Sequence, residues 1–270
     1  MRLHSSLTDL RVLVRGAGEM ASGIAHRLFR SHLRVAMTEI REPLAVRRRV
    51  SFCEAVWDGE CEVEGVRARR ADAPDALDSI LNEGFIPVIV DPDLQSLETW
   101  HPQVLIDATL AKRNLGTRRD MAELVIGFGP GFTAGQDVDV VVETNRGHDL
   151  GRLIFKGSAE PNTGVPGSTL GFTVERVLRA PREGVFRPRV EIGDPVEPGQ
   201  VVAEVEGEPV RAQIAGVVRG LLRPGIRVWK GIKAGDVDPR GERRYCFTIS
   251  EKARALGGSA LEAILMWFNT

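Results

Sequence analysis

The chain has a single tyrosine, Tyr245, among 270 residues, and aromatic side chains make up only 6% of it. No catalytic Tyr–Lys or His–Asp constellation is evident. Cysteine is also scarce: Cys53, Cys61 and Cys246 are an odd number, and no two form CxxC. A disulfide framework is therefore not expected, and a reducing cytoplasm is the default setting. Neither sign of charge dominates, since the formal net charge is −1. That excludes the basic footprint of a nucleic-acid binder. The apolar runs fall far short of the ~20 residues that span a bilayer. The leading MRLHSSLTDLR has no long apolar core, so no signal peptide is visible. What remains is a composition of 43% apolar and 27% charged residues, ordinary for a soluble globular protein. The length suits one large domain or two ordinary ones.

The first organised stretch is Arg11 to Arg15 (RVLVR), followed by Gly16-Ala17-Gly18-Glu19 and a helix face of Ile24, Ala25, Leu28 and Phe29. A second strand, LRVAM, ends near Glu39. Strand, glycine turn, helix and strand make a βαβ unit. Gly16 and Gly18 would bring backbone N–H groups to a helix N-terminus, where anions are favoured. Glu39 stands where an acidic residue meets a ribose hydroxyl. Two features weaken the fingerprint: Ala21 takes the third glycine position, and Glu19 puts a negative charge in the loop. Dinucleotide binding and a βαβ turn with no ligand stay equally open on this pattern. The basic residues Arg41 and Arg47 to Arg49 are most simply a solvated face.

Further strands are expected at Ile86 to Val90 and at Val104 to Ile106, the latter ending in Asp107 with Lys112 and Arg113 close behind. In open α/β sheets ligands bind beyond the carboxyl ends of strands, which makes Asp107 and Lys112 candidates. Then comes the glycine-rich stretch 127–167. It holds nine of the 29 glycines, yet contains the apolar run Val138 to Val142, which a flexible linker would lack. Gly129, Gly131, Arg146, His148, Asn162 and Thr163 lie in its turns. Such glycines mark tight turns or close approach of backbone, and the polar residues suit a phosphorylated or pterin-like ligand. The same residues also suit plain Asx turns. His148 has no metal-ligating neighbour at ligand spacing except Asp149. No metal site is expected.

From Glu183 short runs alternate with Gly and Pro, an all-β texture. It resembles the barrel-sandwich hybrid of biotinyl and lipoyl carriers. The hairpin turn where a carrier lysine would sit reads Gly207-Glu208-Pro209, so no swinging arm is expected. The tail from Ser250 to Trp267 reads as helical, with a break at Gly257-Gly258. The fold class expected is thus an α/β Rossmann-like N-terminal domain over 1–180. A C-terminal all-β barrel-sandwich-hybrid-like domain with a terminal helix would fill 181–270.

Three segments together resemble one known family. They are GAGEMASGIAHRL from Gly16, IDATLAKRN from Ile106, and GFGPGFTAGQDVDVVVETNRGHDLGRLI from Gly127, extended by NTGVPG. They are similar to selenium-dependent molybdenum hydroxylase system proteins of the YqeB type, relatives of the XdhC-like accessory proteins of xanthine dehydrogenase. The resemblance covers nearly the whole chain. It implies an accessory role in maturing or inserting the molybdenum cofactor of a molybdenum hydroxylase. It implies the hydroxylase apoenzyme as partner, with a cysteine desulfurase as a sulfur source. By resemblance, Gly16 and Gly18 form the dinucleotide-type loop, and Asp107 and Lys112 a second strand-end pair. Gly129, Gly131, Arg146, His148, Asn162 and Thr163 form a polar wall. Cys53 and Cys61 belong to no motif of the family, so no sulfur relay is assigned to them. An NAD(P)-dependent oxidoreductase using Gly16, Gly18 and Glu39 is one alternative. A non-catalytic docking scaffold is another, and homo-oligomerisation stays open.

Overall fold

The computed structural model describes residues 7–269. The leading MRLHSS, part of the stretch in which no signal peptide is visible, lies outside them. The chain forms two compact units. The first comprises residues 1–43, 51–162 and 249–270, and the second residues 44–50 and 163–248.

The first unit is built on a nine-stranded sheet. In chain order its strands are β1 (Arg11–Arg15), β2 (Arg34–Glu39), β3 (Glu60–Val63), β4 (Val66–Ala71), β5 (Ile86–Val90), β6 (Val104–Asp107), β7 (Leu124–Phe128), β8 (Val140–Val142) and β9 (Leu153–Ile154). Their spatial order is β3-β4-β5-β2-β1-β6-β7-β8-β9. The inner strands β4 to β8 pair in parallel, while β3 and β9 pair antiparallel at the two margins. The central strands are continuous apolar runs because both faces are covered. On one face Leu13, Ala36, Leu105, Val125 and Val141 pack with Leu77, Ile80 and Leu81 of α3 (Leu77–Asn82). The short helices α2 (Glu54–Asp58) and α4 (Leu97–Trp100) complete this set of connections.

The remaining helices are α1 (Glu19–Arg30) and α5 (Glu251–Phe268), which pack on each other. Gly23 of α1 faces Ala253, and Gly257 faces Arg27, so the two helices run in the same direction. A Cβ at Gly23 would lie 2.7 Å from the Ala253 Cβ, and one at Gly257 would lie 2.9 Å from the Arg27 Cβ. The expected break at Gly257-Gly258 is therefore absent: α5 is one unbroken helix of 18 residues. Gly257 serves close helix approach, and packing outweighs its poor local helix propensity.

The second unit holds two four-stranded antiparallel sheets. They use β10 (Val177–Arg179), β11 (Gly184–Pro188), β12 (Pro195–Val196), β13 (Val201–Val205), β14 (Glu208–Arg211), β15 (Gly216–Leu221), β16 (Arg227–Val228) and β17 (Lys233–Asp238). The orders are β10-β17-β15-β12 and β14-β13-β11-β16.

The expected Rossmann-like domain followed by a barrel-sandwich hybrid is corrected by this arrangement. A Rossmann half alternates strand and helix, whereas no α-helix follows β6 or β7 before the next strand. The chain covers that side with α5, which contacts β7 and β8 and comes from the other end of the sequence. The sheet is mixed and nine-stranded, and the β-rich part forms two separate antiparallel sheets.

Glu64, in the β3–β4 turn, ties that turn to the start of α5. Its carboxylate accepts the Ile249 N–H at 2.8 Å and Arg254 Nη2 at 2.7 and 2.8 Å. Burial pushes its pKa up, but the Ile249 and Arg254 bonds outweigh burial and hold it below the usual glutamate value. A carboxyl whose folded pKa is depressed stabilises the fold fully above its unfolded pKa of about 4.3. That stability is lost as pH falls through the lower folded value. In urea titrations between about pH 5 and pH 3, wild type should lose more stability than Glu64→Gln. Parallel losses in the two proteins would refute this role for Glu64.

Candidate functional site

The carboxyl ends of the parallel strands collect most of the polar residues singled out in the sequence. After β1, Gly16 has φ +95°, and a Cβ there would lie 3.3 Å from the Thr109 Cα. Glycine is needed because two backbones meet, which alone explains its place. The Ala17 N–H donates to Glu39 Oε2 at 2.9 Å, and the Ile40 N–H donates to Glu39 Oε1 at 2.8 Å. Burial raises the Glu39 carboxyl pKa, and these two N–H bonds oppose the rise. Glu39 thus braces the glycine loop through Oε2 and its own strand end through Oε1. The Ala17 carbonyl accepts from Ser22 Oγ and from the Cys53 N–H. Gly18 is the N-cap of α1 and provides no side-chain cap.

After β6, Asp107 is fully buried. Its carboxylate accepts from Thr117 Oγ1 at 2.6 Å, Thr109 Oγ1 at 2.7 Å and the Thr109 N–H at 3.1 Å. Arg15 Nη1 lies 3.4 Å from it and also donates to Thr117 Oγ1 at 2.9 Å. Asp107 therefore organises its own loop and anchors Arg15. Lys112 is exposed at φ +62°, in a loop where Leu110 is also left-handed at φ +53°. Side chains other than glycine rarely take this conformation. Gly131 closes against that loop, since a Cβ there would lie 2.6 Å from the Arg113 Cα. A Cβ at Gly129 would lie 2.6 Å from Thr144 Oγ1. The loops after β6, β7 and β8 are joined through these glycines.

After β8, buried Glu143 accepts the Asn145 N–H at 2.6 Å and the Glu160 N–H at 2.7 Å. Arg146 is exposed and donates through Nε and Nη2 to Glu251 Oε1, at 3.0 and 2.9 Å. His148 is exposed in the same turn. Asn162 is exposed at the end of a first-unit segment. Thr163 belongs to the second unit, where its hydroxyl bonds the Val165 backbone. The geometry thus gathers Gly16, Gly18, Glu39, Asp107, Lys112, Gly129, Gly131, Arg146 and His148 on strand-end loops of one sheet.

Lys252 escaped the sequence reading. It lies in the first turn of α5, half-buried, in the electrostatic field of Arg146, Glu19, Glu143 and Glu251. Burial lowers its ammonium pKa first and Arg146 second, against the opposing pull of the three glutamates. The available signal was its rarity. Lysine occurs only as Lys112, Lys156, Lys230, Lys233 and Lys252 in this arginine-rich chain. Cys61, by contrast, is held inert by burial, its pKa pushed up to about 12. Among the described residues, no group of three or more His, Cys, Asp or Glu side chains is placed to hold a metal ion. None of the described helices is long and apolar enough to cross a membrane.

No protein-family model matches the chain. A curated relative, the uncharacterized protein YqeB of Escherichia coli strain K12, is 49% identical over 255 residues. The chain is similar to proteins of the YqeB type. The match takes in 94% of this chain but 47% of the relative, so the chain spans about half the length of YqeB. Solved structures with some likeness include an aspartoacylase family protein of Mesorhizobium loti, at 14% identity and TM-score 0.28. Another is the ectoine utilization protein EutE (DoeB) of Ruegeria pomeroyi in a product-bound structure, at 14% identity and TM-score 0.29. Each match covers 85% of both chains. These findings overturn the expected molybdenum-cofactor accessory role. The relative is described only as uncharacterized and brings no such role to this chain. At these TM-scores the neighbours assign no reaction to this chain either.

Proposed function

We propose that the carboxyl edge of the nine-stranded sheet binds a small, anionic, polar molecule. The observation that carries this reading is the meeting of two cations with two helix starts. Arg146 and Lys252 lie where α1 and α5, running in the same direction, both begin. Helix N-termini favour anions, and a neighbouring guanidinium adds a planar, charge-assisted donor. Glu251 engages Arg146 at an exposed position, so a ligand carboxylate or phosphate can compete for it at little cost. Glu39, Asp107 and Glu143 set the shape of the loops instead of contacting the ligand. The ligand classes expected from the sequence, the molybdenum cofactor and NAD(P), both carry phosphate and fit within this reading.

The test is thermal melting with NAD(H), NADP(H), inorganic pyrophosphate and citrate. A ligand at a hundredfold over its Kd stabilises by about 2.7 kcal/mol. Arg146→Ala should weaken binding about tenfold or more, the loss of one charge-assisted contact of roughly 1.5–3 kcal/mol. Arg113→Ala, whose backbone alone meets Gly131, should bind as wild type does. Equal affinities for the two variants, or no shift with any anion, would overturn the proposal.

A further inference from the structure

We propose that the amino edge of the nine-stranded sheet carries a second binding site, a cleft that takes a small monocarboxylic acid with an apolar body. It is independent of the anion-binding reading of the carboxyl edge. The cleft has a volume of about 830 Å³ and lies wholly within the first unit. Small-molecule sites span roughly 300–1,000 Å³. It opens where α1 and α3 end and where β2 and β4 begin. Its floor is apolar: Phe29 of α1, Leu33, Val66 of β4 and Leu81 of α3. Leu33, Val66 and Leu81 are buried, and Phe29 packs against the core cluster that holds Leu81. The fold therefore fixes the floor before any ligand arrives.

The polar lining carries an excess of positive charge. Arg30, the last residue of α1, is exposed, and among the described residues no hydrogen bond or ion pair engages its guanidinium. Arg34 Nη1 donates to Asn82 Oδ1 at 3.2 Å and Nη2 to Asp78 Oδ1 at 2.8 Å, which ties this second guanidinium into the wall. Asp78 also pairs with Arg11 at 2.8 Å, so one carboxylate answers two guanidiniums. Among the described residues that line the cleft, Glu64 is the sole carboxylate, and the Ile249 N–H and Arg254 occupy it. Open carbonyls at the end of α1 would repel an anion. Those of Arg27, Leu28 and Phe29 instead accept the N–H groups of Ser31, Leu33 and His32.

One uncommitted guanidinium beside an apolar floor matches one carboxylate on an apolar body. The planar fork of Arg30 can engage both carboxylate oxygens, while the floor takes the body out of water. A phosphate monoester, with its second charge, finds no second free guanidinium, because Arg34 is held by Asp78 and Asn82. Gly65 at the mouth needs no ligand to explain it. Its φ of +79° follows that of Glu64, +45°, in the two-residue turn between β3 and β4.

The test titrates the full chain with phenylacetate while its backbone amide NMR signals are followed. Phenylacetate should give saturable shifts centred on His32, Leu33 and Gly65. Arg30→Gln should weaken binding about fivefold or more, with Arg30→Lys in between. Amide signals that stay in place away from residue 30 establish that both variants fold. Phenylacetamide keeps the ring without the charge, and acetate keeps the charge without the ring. Each should bind about fivefold more weakly than phenylacetate, or worse. No saturable shift with phenylacetate, or shifts centred on Gly18 and Gly129, overturns the site. Phenylacetamide binding as tightly as phenylacetate, or Arg30→Gln binding as wild type does, overturns the carboxylate assignment. Phenyl phosphate binding more tightly than phenylacetate overturns the single charge.

Discussion

Replacing Asp107 with alanine should cost about 3–5 kcal/mol of folding stability, the range seen when one partner of a buried ion pair is removed. Asp107 is fully buried, and the Arg15 side chain is only 11% exposed. Without the carboxylate, Arg15 keeps its bonds to the Pro92 and Leu115 carbonyls but loses its ion-pair partner. Thr117 and Thr109 lose their strongest acceptor as well. Asp107→Asn preserves shape and some acceptor capacity, so it should cost less than alanine. A loss of this size is a large part of the 5–15 kcal/mol that a native domain has in total. Urea denaturation of the two variants measures it. A cost below about 1 kcal/mol for Asp107→Ala would show that the network is not what holds the loop after β6.

The second large effect is a reversal of sign along one helix pair. Glycine to alanine within a helix normally stabilises by about 0.5–1 kcal/mol. Gly258 should follow that rule, because nothing lies within 4 Å of a Cβ placed there. Gly23 should not. An added Cβ would lie 2.7 Å from the Ala253 Cβ and 3.0 Å from the Ala253 carbonyl oxygen. Gly23→Ala should destabilise by about 1–3 kcal/mol, with Gly23→Val at or beyond the upper end. Pairing Gly23→Ala with Ala253→Gly should recover part of the loss but not all, because the carbonyl contact remains. Melting temperatures of the four variants decide the matter. If Gly23→Ala and Gly258→Ala shift stability in the same direction, α1 and α5 are not held as closely as the structure shows.

Much of the local structure could be read from residue patterns. The runs RVLVR and IPVIV became β1 and β5 at the expected residues, because buried parallel strands are unbroken apolar runs bounded by turns. The glycines after β1 and β7 also pointed correctly to close backbone approach, but the backbone that approaches is the protein's own: Gly16 meets Thr109 and Gly131 meets Arg113. A ligand-binding loop and a loop-packing contact demand the same absence of a side chain, so the sequence has no means to separate them. Glu39 and Asp107 show the same ambiguity. An acidic residue at a strand end serves a ribose hydroxyl or braces a loop equally well, and only the hydrogen-bond partners distinguish the two.

By itself the sequence determined where β1, β2, β5 and β6 of the central sheet lie, that the later part of the chain is β-rich, and that the hairpin turn carries no carrier lysine. Those are consequences of local periodicity and turn chemistry, which act within a few residues. The tertiary structure alone decided that the sheet is mixed and nine-stranded, that α5 runs unbroken through Gly257 and Gly258, and that its first turn sets Glu251 against Arg146. Each of these depends on contacts between opposite ends of the chain. Local patterns hold no information about which distant backbone will press against a glycine, or which desolvated neighbours will surround a lysine.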